Sequence, residues 1–280
     1  MSDSDLRAFI SDALAEDTGD GDHSSLASIP SGITGRARLL VKETGIIAGL
    51  RVASEVFNVT DPSLETSILL KDGDTVKYGD IALTAEGAAH SILRAERLVL
   101  NIMQRMSGIA TSTSVYVEKI RGTKARITDT RKTTPGMRML EKEAVRIGGG
   151  VNHRMGLYDM IMLKDNHVDY AGGIAAAVAR TREYLAEKGL ALKTEVEARN
   201  IDEVRQILAA GGVDRIMLDN FTIEDTRKAV ALIGGRTETE SSGGITLANV
   251  RDYALCGVDF ISIGALTHQI KSLDMSLKAY

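Results

Sequence analysis

Along the first 110 residues, the spacing of apolar positions changes from helical to strand-like and back to helical. Residues 5–16 predict an amphipathic helix, whose apolar face carries Leu6, Phe9, Ile10, Ala13 and Leu14. A long helix is predicted over residues 91–120, with Gly108 expected to break or bend it. Between these helices lie predicted strands at 36–42, 66–71 and 81–85 and a short helix at 52–58. The pattern indicates a small α+β domain with an antiparallel sheet.

From residue 124 onward, short apolar runs alternate regularly with helical segments. Strands are predicted at 125–128, 160–163, 191–196, 215–218, 236–240 and 260–263. Helices fill the intervals, for example at 173–187, 201–210 and 223–233. Strand–helix alternation at this spacing predicts parallel strands joined by right-handed crossovers. Six such strands can form an open sheet or curl into a barrel.

Polar residues follow each of these predicted strands at its C-terminal end. They are Asp129 to Lys132, Lys164 to Asn166, Glu195 to Glu197, Asp219 and Asn220, Ser241 to Gly244, and Gly264 and Ala265. Active sites of α/β barrels form at that end of the strands. An open sheet would concentrate such residues at one switch point instead. We therefore predict a barrel, small or incomplete because it has six strands and not eight.

Composition restricts the classes of function. The 280 residues carry a net charge of −4, which argues against a general nucleic-acid binder because Lys and Arg are not in excess. Aromatic residues make up 4%, too few for platforms on which bases stack. No apolar run approaches the ~18 residues of a membrane span, and the N-terminus has no signal-peptide pattern. We expect a cytoplasmic protein that does not bind membranes.

Five cations stand out against this mildly acidic background. The pairs are Arg131-Lys132 and His153-Arg154, and Lys164 ends an apolar strand. Crowded cations repel, so such a cluster predicts a ligand with several negative charges. Alternatively, the pairs are solvated surface charges and His153 is a hydrogen-bonded structural residue. Lys164 could act as an anion clamp or as a Schiff-base nucleophile.

Two glycine-containing turns and two carboxylates complete the candidate chemistry. Ser242-Gly243-Gly244 and Ile263-Gly264-Ala265 each lie between a strand and a helix, where backbone N–H groups can hold a phosphate. Alternatively, glycine occurs in such turns only because a larger side chain would not fit there. Glu197 and Asp219 suit Mg²⁺, sugar hydroxyls, or simple balance of the nearby cations.

These residues resemble the quinolinate phosphoribosyltransferases, also called nicotinate-nucleotide pyrophosphorylases (carboxylating). The matching segments are Asp129 to Gly136, Gly148 to Arg154, Lys164 to His167, Glu16-Asp17, Gly21-Asp22, Glu96-Arg97, Leu100-Asn101, Glu195 to Glu197, Leu218 to Asn220 and Ser242 to Ile245. Ser24-Ser25 departs from the family, in which threonines are common at these positions. The resemblance implies an N-terminal α/β sandwich over 1–110, a six-stranded incomplete α/β barrel over 111–270, and a tail at about 270–280 that packs on the first domain.

The resemblance also implies the reaction and its machinery. Quinolinate and phosphoribosyl pyrophosphate would give nicotinate mononucleotide, pyrophosphate and CO₂, with Mg²⁺, in NAD synthesis. A homodimer would share its active sites, so that Arg97 acts in the site of the partner. The implied quinolinate contacts are Arg97, Thr130, Arg131, His153, Arg154 and Lys164. The implied phosphate and ribose contacts are Lys132, Glu197, Asp219, Ser242, Gly243, Gly244, Ile263, Gly264, Ala265 and His268. The implied catalytic residues are Lys132, Lys164, Glu197 and Asp219, with Glu197 and Asp219 holding Mg²⁺ directly or through water.

Three rival functions stay open at this point. The first is a sister phosphoribosyltransferase acting on another anionic ring, such as nicotinate, or the related protein linked to molybdenum transport. The second is an aldolase that uses Lys164 as a Schiff base, and the third is an anion-binding protein without catalysis. The two basic pairs together with the intact segment Lys164 to His167 favour a ring that carries two carboxylates.

Overall fold

A computed structural model describes residues 3–280 and divides the chain into two compact units. The first unit comprises the residues up to Ser114 together with Thr133–Gly149 and Gln269–Tyr280. The second comprises Val115–Lys132 and Gly150–His268. Across residues 3–280, no helix is both long enough and apolar enough to cross a membrane.

The first unit is built on an antiparallel sheet. Its strands are β1 (Thr34–Val41), β2 (Gly45–Ile46), β3 (Glu65–Ile68), β4 (Thr75–Val76), β5 (Ile81–Ala88) and β12 (Met275–Ala279). Its helices are α1 (Asp3–Thr18), α2 (His23–Ser28), α3 (Leu50–Thr60), α5 (Arg138–Ile147) and most of α4 (Ala89–Lys119). Four strands pair in the order β12-β1-β5-β3, and β2 pairs with β4. The predicted antiparallel domain is confirmed, and the alternating burial of Ala37, Leu39 and Val41 shows which face of β1 packs on the core.

Gly108 does not break the long helix; of the two alternatives predicted there, the break was wrong and the bend stays a prediction. Residues 89–119 form one continuous helix. A Cβ at Gly108 would overlap the carbonyl oxygen of Lys271, so glycine permits a close approach of the C-terminal segment. The sequence signal was real, but its cause is packing and not a break in the helix.

The second unit alternates strands and helices. The strands are β6 (Arg126–Thr128), β7 (Ile161–Leu163), β8 (Thr194–Ala198), β9 (Arg215–Asp219), β10 (Glu238–Ser242) and β11 (Phe260–Ser262). The helices are α6 (Asp165–Ala171), α7 (Ile174–Lys188), α8 (Ile201–Ala210), α9 (Ile223–Ile233), α10 (Val250–Leu255) and α11 (Ala265–His268). Each predicted strand is present, with its ends shifted by a few residues.

The strand order identifies an incomplete barrel. The six parallel strands run β6-β11-β10-β9-β8-β7, so the first strand pairs with the last through Phe260 with Arg126 and Ser262 with Thr128. Pairing of first with last closes a barrel, whereas a doubly wound sheet reverses its order at a switch point. Among the described residues, no ladder joins β6 to β7. Only an isolated bridge between Thr128 and Val151 lies on that side of β6.

Candidate active site

The C-terminal edge of the barrel gathers most of the polar residues predicted from the sequence. Parallel strands end on one side of a sheet, so Asp129, Lys164, Asp219 and Ser242 lie at the same edge. Glu197 is the fourth residue of β8 and reaches that edge as well.

Asp129 fixes the segment that carries His153 and Arg154. Its carboxylate is fully buried and accepts hydrogen bonds from Asn152 Nδ2 at 2.5 Å and from the backbone N–H of His153 at 2.9 Å. These bonds tie the glycine-rich segment after α5 to the end of β6. Asp129 belongs to the first matching segment of the sequence, although only the structure shows this task.

Arg131 and Arg154 come close enough for their charges to interact. Burial and the neighbouring Arg131 lower the pKa of Arg154. The guanidinium of Arg154 donates to the carbonyl of Met160 at 3.2 Å, just before β7. Thr130 Oγ1 accepts from the backbone N–H of Lys132 at 3.1 Å and so shapes the turn between the two cations of the first pair. Two of the predicted cations, which lie on separate loops, therefore interact electrostatically, and the convergence of all five around one ligand stays a prediction.

His153 points into the barrel interior. Its Nε2 lies 2.9 Å from Glu195 Oε2 and 3.5 Å from Glu240 Oε2, and its Nδ1 accepts from the backbone N–H of Arg154 at 2.8 Å. Both ring nitrogens therefore face protein atoms. The predicted contact between His153 and a quinolinate carboxylate stays a prediction, and it would require the ring to turn.

Two opposing effects act on the pKa of His153. Burial alone would lower its pKa, but the bonds to Glu195 and Glu240 outweigh burial and raise the pKa to about 9. A proton on Nδ1 would compete with the N–H of Arg154, which needs a lone pair there. Protonation of this ring is thus coupled to the position of the Arg154 backbone.

Beneath the edge, charged residues balance one another inside the barrel. His153, Glu195 and Glu240 each offer a ligand atom, and these atoms lie within 4.8 Å of one another, as metal ligands can. Arg215 Nη1 already lies 2.9 Å from Glu240, and the guanidinium stacks 3.7 Å from the ring centre of Phe260. Arg215 balances the charge of Glu240, and a protonated His153 would balance that of Glu195, so charge balance alone does not require a metal.

Lys164, Glu197 and Asp219 form the second charged group at the edge. Lys164 Nζ lies 3.4 Å from Glu197 Oε2. Burial and the charge of Asp219 raise the pKa of Glu197, while Lys164 opposes the shift. Two neighbouring carboxylates that repel each other fit a hydrated Mg²⁺, which takes few protein ligands.

The two glycine turns lie at the ends of β10 and β11. Gly243 and Gly244 have φ values of 90° and 62°, which glycine adopts at little cost. A Cβ on Gly264 would lie 3.0 Å from His268 Nε2 and 3.1 Å from Lys132 Cδ. Thr267 Oγ1 donates to the carbonyl of Lys132 at 2.8 Å. Lys132, Gly264 and His268 therefore form one group beside Ile263 and Ala265.

Arg97 belongs to a different compact unit from the other predicted site residues. It is an exposed residue of α4 and belongs to the first compact unit. Its predicted role in a partner's site stays a prediction.

Several residues of the candidate site were not assigned a role from the sequence. Glu195 and Glu240 lie two residues before Glu197 and Ser242, and side chains two apart on a strand share a face. This two-residue spacing is the sequence feature that could have indicated a charged barrel interior. Their shared partner His153 could not be read from the sequence, because it lies in a loop far from both strands along the chain.

Comparison with known proteins connects this geometry to a family. The model described as "Quinolinate phosphoribosyl transferase, N-terminal domain" matches residues 22–107, and the corresponding C-terminal domain matches residues 109–278. The chain belongs to the quinolinate phosphoribosyltransferase family.

Relatives of the quinolinate phosphoribosyltransferase family match over almost the whole length. The chain is 48% identical to "Nicotinate-nucleotide pyrophosphorylase [carboxylating], chloroplastic" of Arabidopsis thaliana, over 98% of this chain and 82% of the relative. It is 42% identical to "Probable nicotinate-nucleotide pyrophosphorylase [carboxylating]" of Bacillus subtilis, over 97% and 92%. Solved structures named NadC from Streptococcus pyogenes and nicotinate-nucleotide pyrophosphorylase from Francisella tularensis both superpose with a TM-score of 0.94. They are 39% and 38% identical, and the matches cover 99% and 100% of this chain and 97% and 98% of theirs.

Proposed function

We propose that the protein is a decarboxylating quinolinate phosphoribosyltransferase of NAD biosynthesis. The observation that carries the proposal is the composition of the barrel edge. Cations suited to a dianionic ring, a carboxylate pair and two glycine turns all occur there. Relatives at 42–48% identity bear the name of this enzyme.

Arg131, Arg154, Lys164 and Thr130 would hold the two carboxylates of quinolinate. A guanidinium can grip a carboxylate with two parallel hydrogen bonds, and Lys164 adds a point charge. The repulsion between Arg131 and Arg154, which is reflected in the lowered pKa of Arg154, would be relieved when the dianion binds.

The glycine turns and the second charged group would hold phosphoribosyl pyrophosphate. Backbone N–H groups at Ser242, Gly243 and Gly244, and at Ile263, Gly264 and Ala265, would hold the 5′-phosphate. Lys132 and His268, which lie together at Gly264, would neutralise the pyrophosphate. Glu197 and Asp219 would hold ribose hydroxyls and Mg²⁺, an ion that neutralises charge on the leaving pyrophosphate when it is bound.

The side chains proposed to bind the substrates can also stabilise the charge that develops during the reaction. As the bond from ribose C1 to pyrophosphate breaks, positive charge develops on the sugar, and the fixed carboxylates of Glu197 and Asp219 would stabilise it. The ring nitrogen of quinolinate forms the new bond to C1. The cationic ring then accepts the electron pair left by departing CO₂, and a proton takes the place of the carboxylate.

A homodimer with shared sites would bring Arg97 to the substrate of the partner. Mixing Arg97→Ala subunits with Lys164→Ala subunits tests this arrangement, because one site of each mixed dimer would then be intact. Partial recovery of turnover is expected. No recovery in verified mixed dimers would contradict sharing.

The primary test is an assay with quinolinate, phosphoribosyl pyrophosphate and Mg²⁺, following release of labelled CO₂. Release that needs both substrates supports the proposal, whereas turnover of nicotinate without CO₂ would indicate the sister enzyme. Trapping of a substrate on Lys164 by borohydride would instead indicate an aldolase. Absence of any turnover would indicate an anion-binding protein.

A variant pair tests the quinolinate site itself. Arg131→Ala should weaken quinolinate binding by ~1.5–3 kcal/mol, the range for a lost charged hydrogen bond. Arg121→Ala is the matched control, since this exposed arginine pairs only locally with Glu118 among the described contacts. Equal quinolinate affinities of the two variants would contradict the assignment.

Relatives carry the words chloroplastic and mitochondrial in their names. A cytoplasmic location for this chain stays a prediction, which imaging of the tagged protein in its own cells would test.

A further inference from the structure

We propose that Asn220 is a positioning residue that holds Asp219 and the Gly243 turn in register for the phosphoribosyl donor. The inference rests on the proposed function, because it assigns Asp219 and Gly243 to the site of that donor. It adds a residue to which no role has been given so far.

The backbone of Asn220 is the first observation. Among residues 3–280 it is the only non-glycine residue with a positive φ, at 55°. Side chains disfavour this left-handed conformation, and such outliers cluster at functional sites. Asparagine tolerates it better than most residues because its amide can form local hydrogen bonds.

The contacts of Asn220 are the second observation. Its Nδ2 donates to Asp219 Oδ2 at 2.6 Å, and its backbone N–H donates to the carbonyl of Ser242 at 2.9 Å. A Cβ on Gly243 would overlap Asn220 Oδ1, so glycine at 243 and asparagine at 220 fit each other. One residue thereby joins the end of β9 to the turn after β10.

These contacts matter because Asp219 sits beside another carboxylate. Glu197 and Asp219 lie at the C-terminal ends of the neighbouring parallel strands β8 and β9, and like charges placed side by side repel each other. The amide of Asn220 engages one oxygen of Asp219 and opposes its movement away from Glu197. Without that bond, we expect Asp219 to rotate and the ribose site to lose its shape.

The competing interpretation is that Asn220 only makes the turn into α9, whose N-cap is Thr222. Asn220→Gly separates the two roles, since glycine adopts the left-handed conformation without strain but has no amide. If Asn220 only makes the turn, its replacement by glycine should leave the kinetic constants unchanged. If Asn220 positions Asp219, the same replacement should change them.

The experiment compares Asn220→Gly and Asn220→Asp with the wild-type enzyme. The matched control is Asn58→Asp, which also places an acid beside a carboxylate, because exposed Asn58 donates to Glu55 at 3.3 Å in the first unit. Readouts are the Tm, the KM for each substrate, and the Kd of ribose 5-phosphate from calorimetry.

Asn220→Gly should keep or raise the Tm while the KM for phosphoribosyl pyrophosphate and the Kd of ribose 5-phosphate rise on the order of tenfold. The KM for quinolinate should change less than about twofold, a difference too small to report a lost hydrogen bond. Asn220→Asp should show a larger effect on the same two constants, and Asn58→Asp should show none.

Unchanged donor constants in Asn220→Gly would overturn the proposal, as would a parallel rise for both substrates with a lower Tm. If Asn220→Gly does not fold, the Kd of ribose 5-phosphate for Asn220→Asp against Asn58→Asp decides. Failure of the proposed function is distinguishable, because the wild-type enzyme would then release no CO₂ from quinolinate whatever the variants do.

Discussion

Two glutamates on one strand offer a controlled measurement of what burial does to an ion pair. Glu240 and Glu238 lie two residues apart on β10, and both pair with Arg215, at 2.9 and 3.1 Å. The Glu240 side chain is 0% exposed and that of Glu238 is 36% exposed. The substitution to Gln keeps the shape and removes the charge in each case.

The expected magnitudes follow from burial. Removing one partner of a buried pair costs about 3–5 kcal/mol, because the other charge stays in the interior without compensation. We expect Glu240→Gln to lie near 3 kcal/mol, at the low end, since Arg215 keeps Glu238 and its stacking on Phe260, and His153, the other partner of Glu240, keeps Glu195. Glu238→Gln should cost about 0–1 kcal/mol, as at surface pairs.

Urea unfolding followed by circular dichroism measures both variants, because the chain has no Trp to report by fluorescence. The free energy of unfolding is extrapolated linearly to water, and an unchanged slope against urea shows that the variants expose the same surface. Equal losses of stability in the two variants would refute the reasoning, because burial would then not decide the strength of the pair.

Three further expectations concern packing, protonation and the glycine turn. Gly108→Ala should lower the Tm even though alanine favours helices by ~1 kcal/mol, because its Cβ would overlap the carbonyl of Lys271; a raised Tm would contradict this. The folded pKa of His153, about 9, lies above its ordinary 6.5, so its stabilising contribution is full below pH 6.5 and is lost as the pH rises through 9. The Tm of the wild-type protein should therefore fall more steeply than that of His153→Gln as the pH rises across this window. Parallel profiles of Tm against pH for the two proteins would show that the backbone N–H of Arg154, which donates to Nδ1, keeps the ring neutral. Gly243→Ala should raise the KM for phosphoribosyl pyrophosphate more than Gly244→Ala, because only at Gly243 would a Cβ meet the side chain of Asn220; equal KM values would argue against that contact.

Much of the architecture was readable from local patterns. The alternation of strands and helices after residue 124 predicted a parallel barrel, and polar residues at the strand ends predicted the edge at which the candidate site lies. Lys164 and Glu197 were expected at that edge, and they lie 3.4 Å apart. Such inferences succeed because the period of burial along one element depends on that element alone.

Other features depended on contacts between distant segments. The pairing of β6 with β11, the inward turn of His153 toward Glu195 and the close approach at Gly108 each join residues far apart in the chain. A periodic pattern indicates that a face is buried but does not name the group that buries it. The left-handed backbone of Asn220 is of the same kind, since the ends of two neighbouring strands hold it in place. Local chemistry thus specified the elements and the polar residues at their ends, while long-range packing and charge pairing settled which of those side chains face one another.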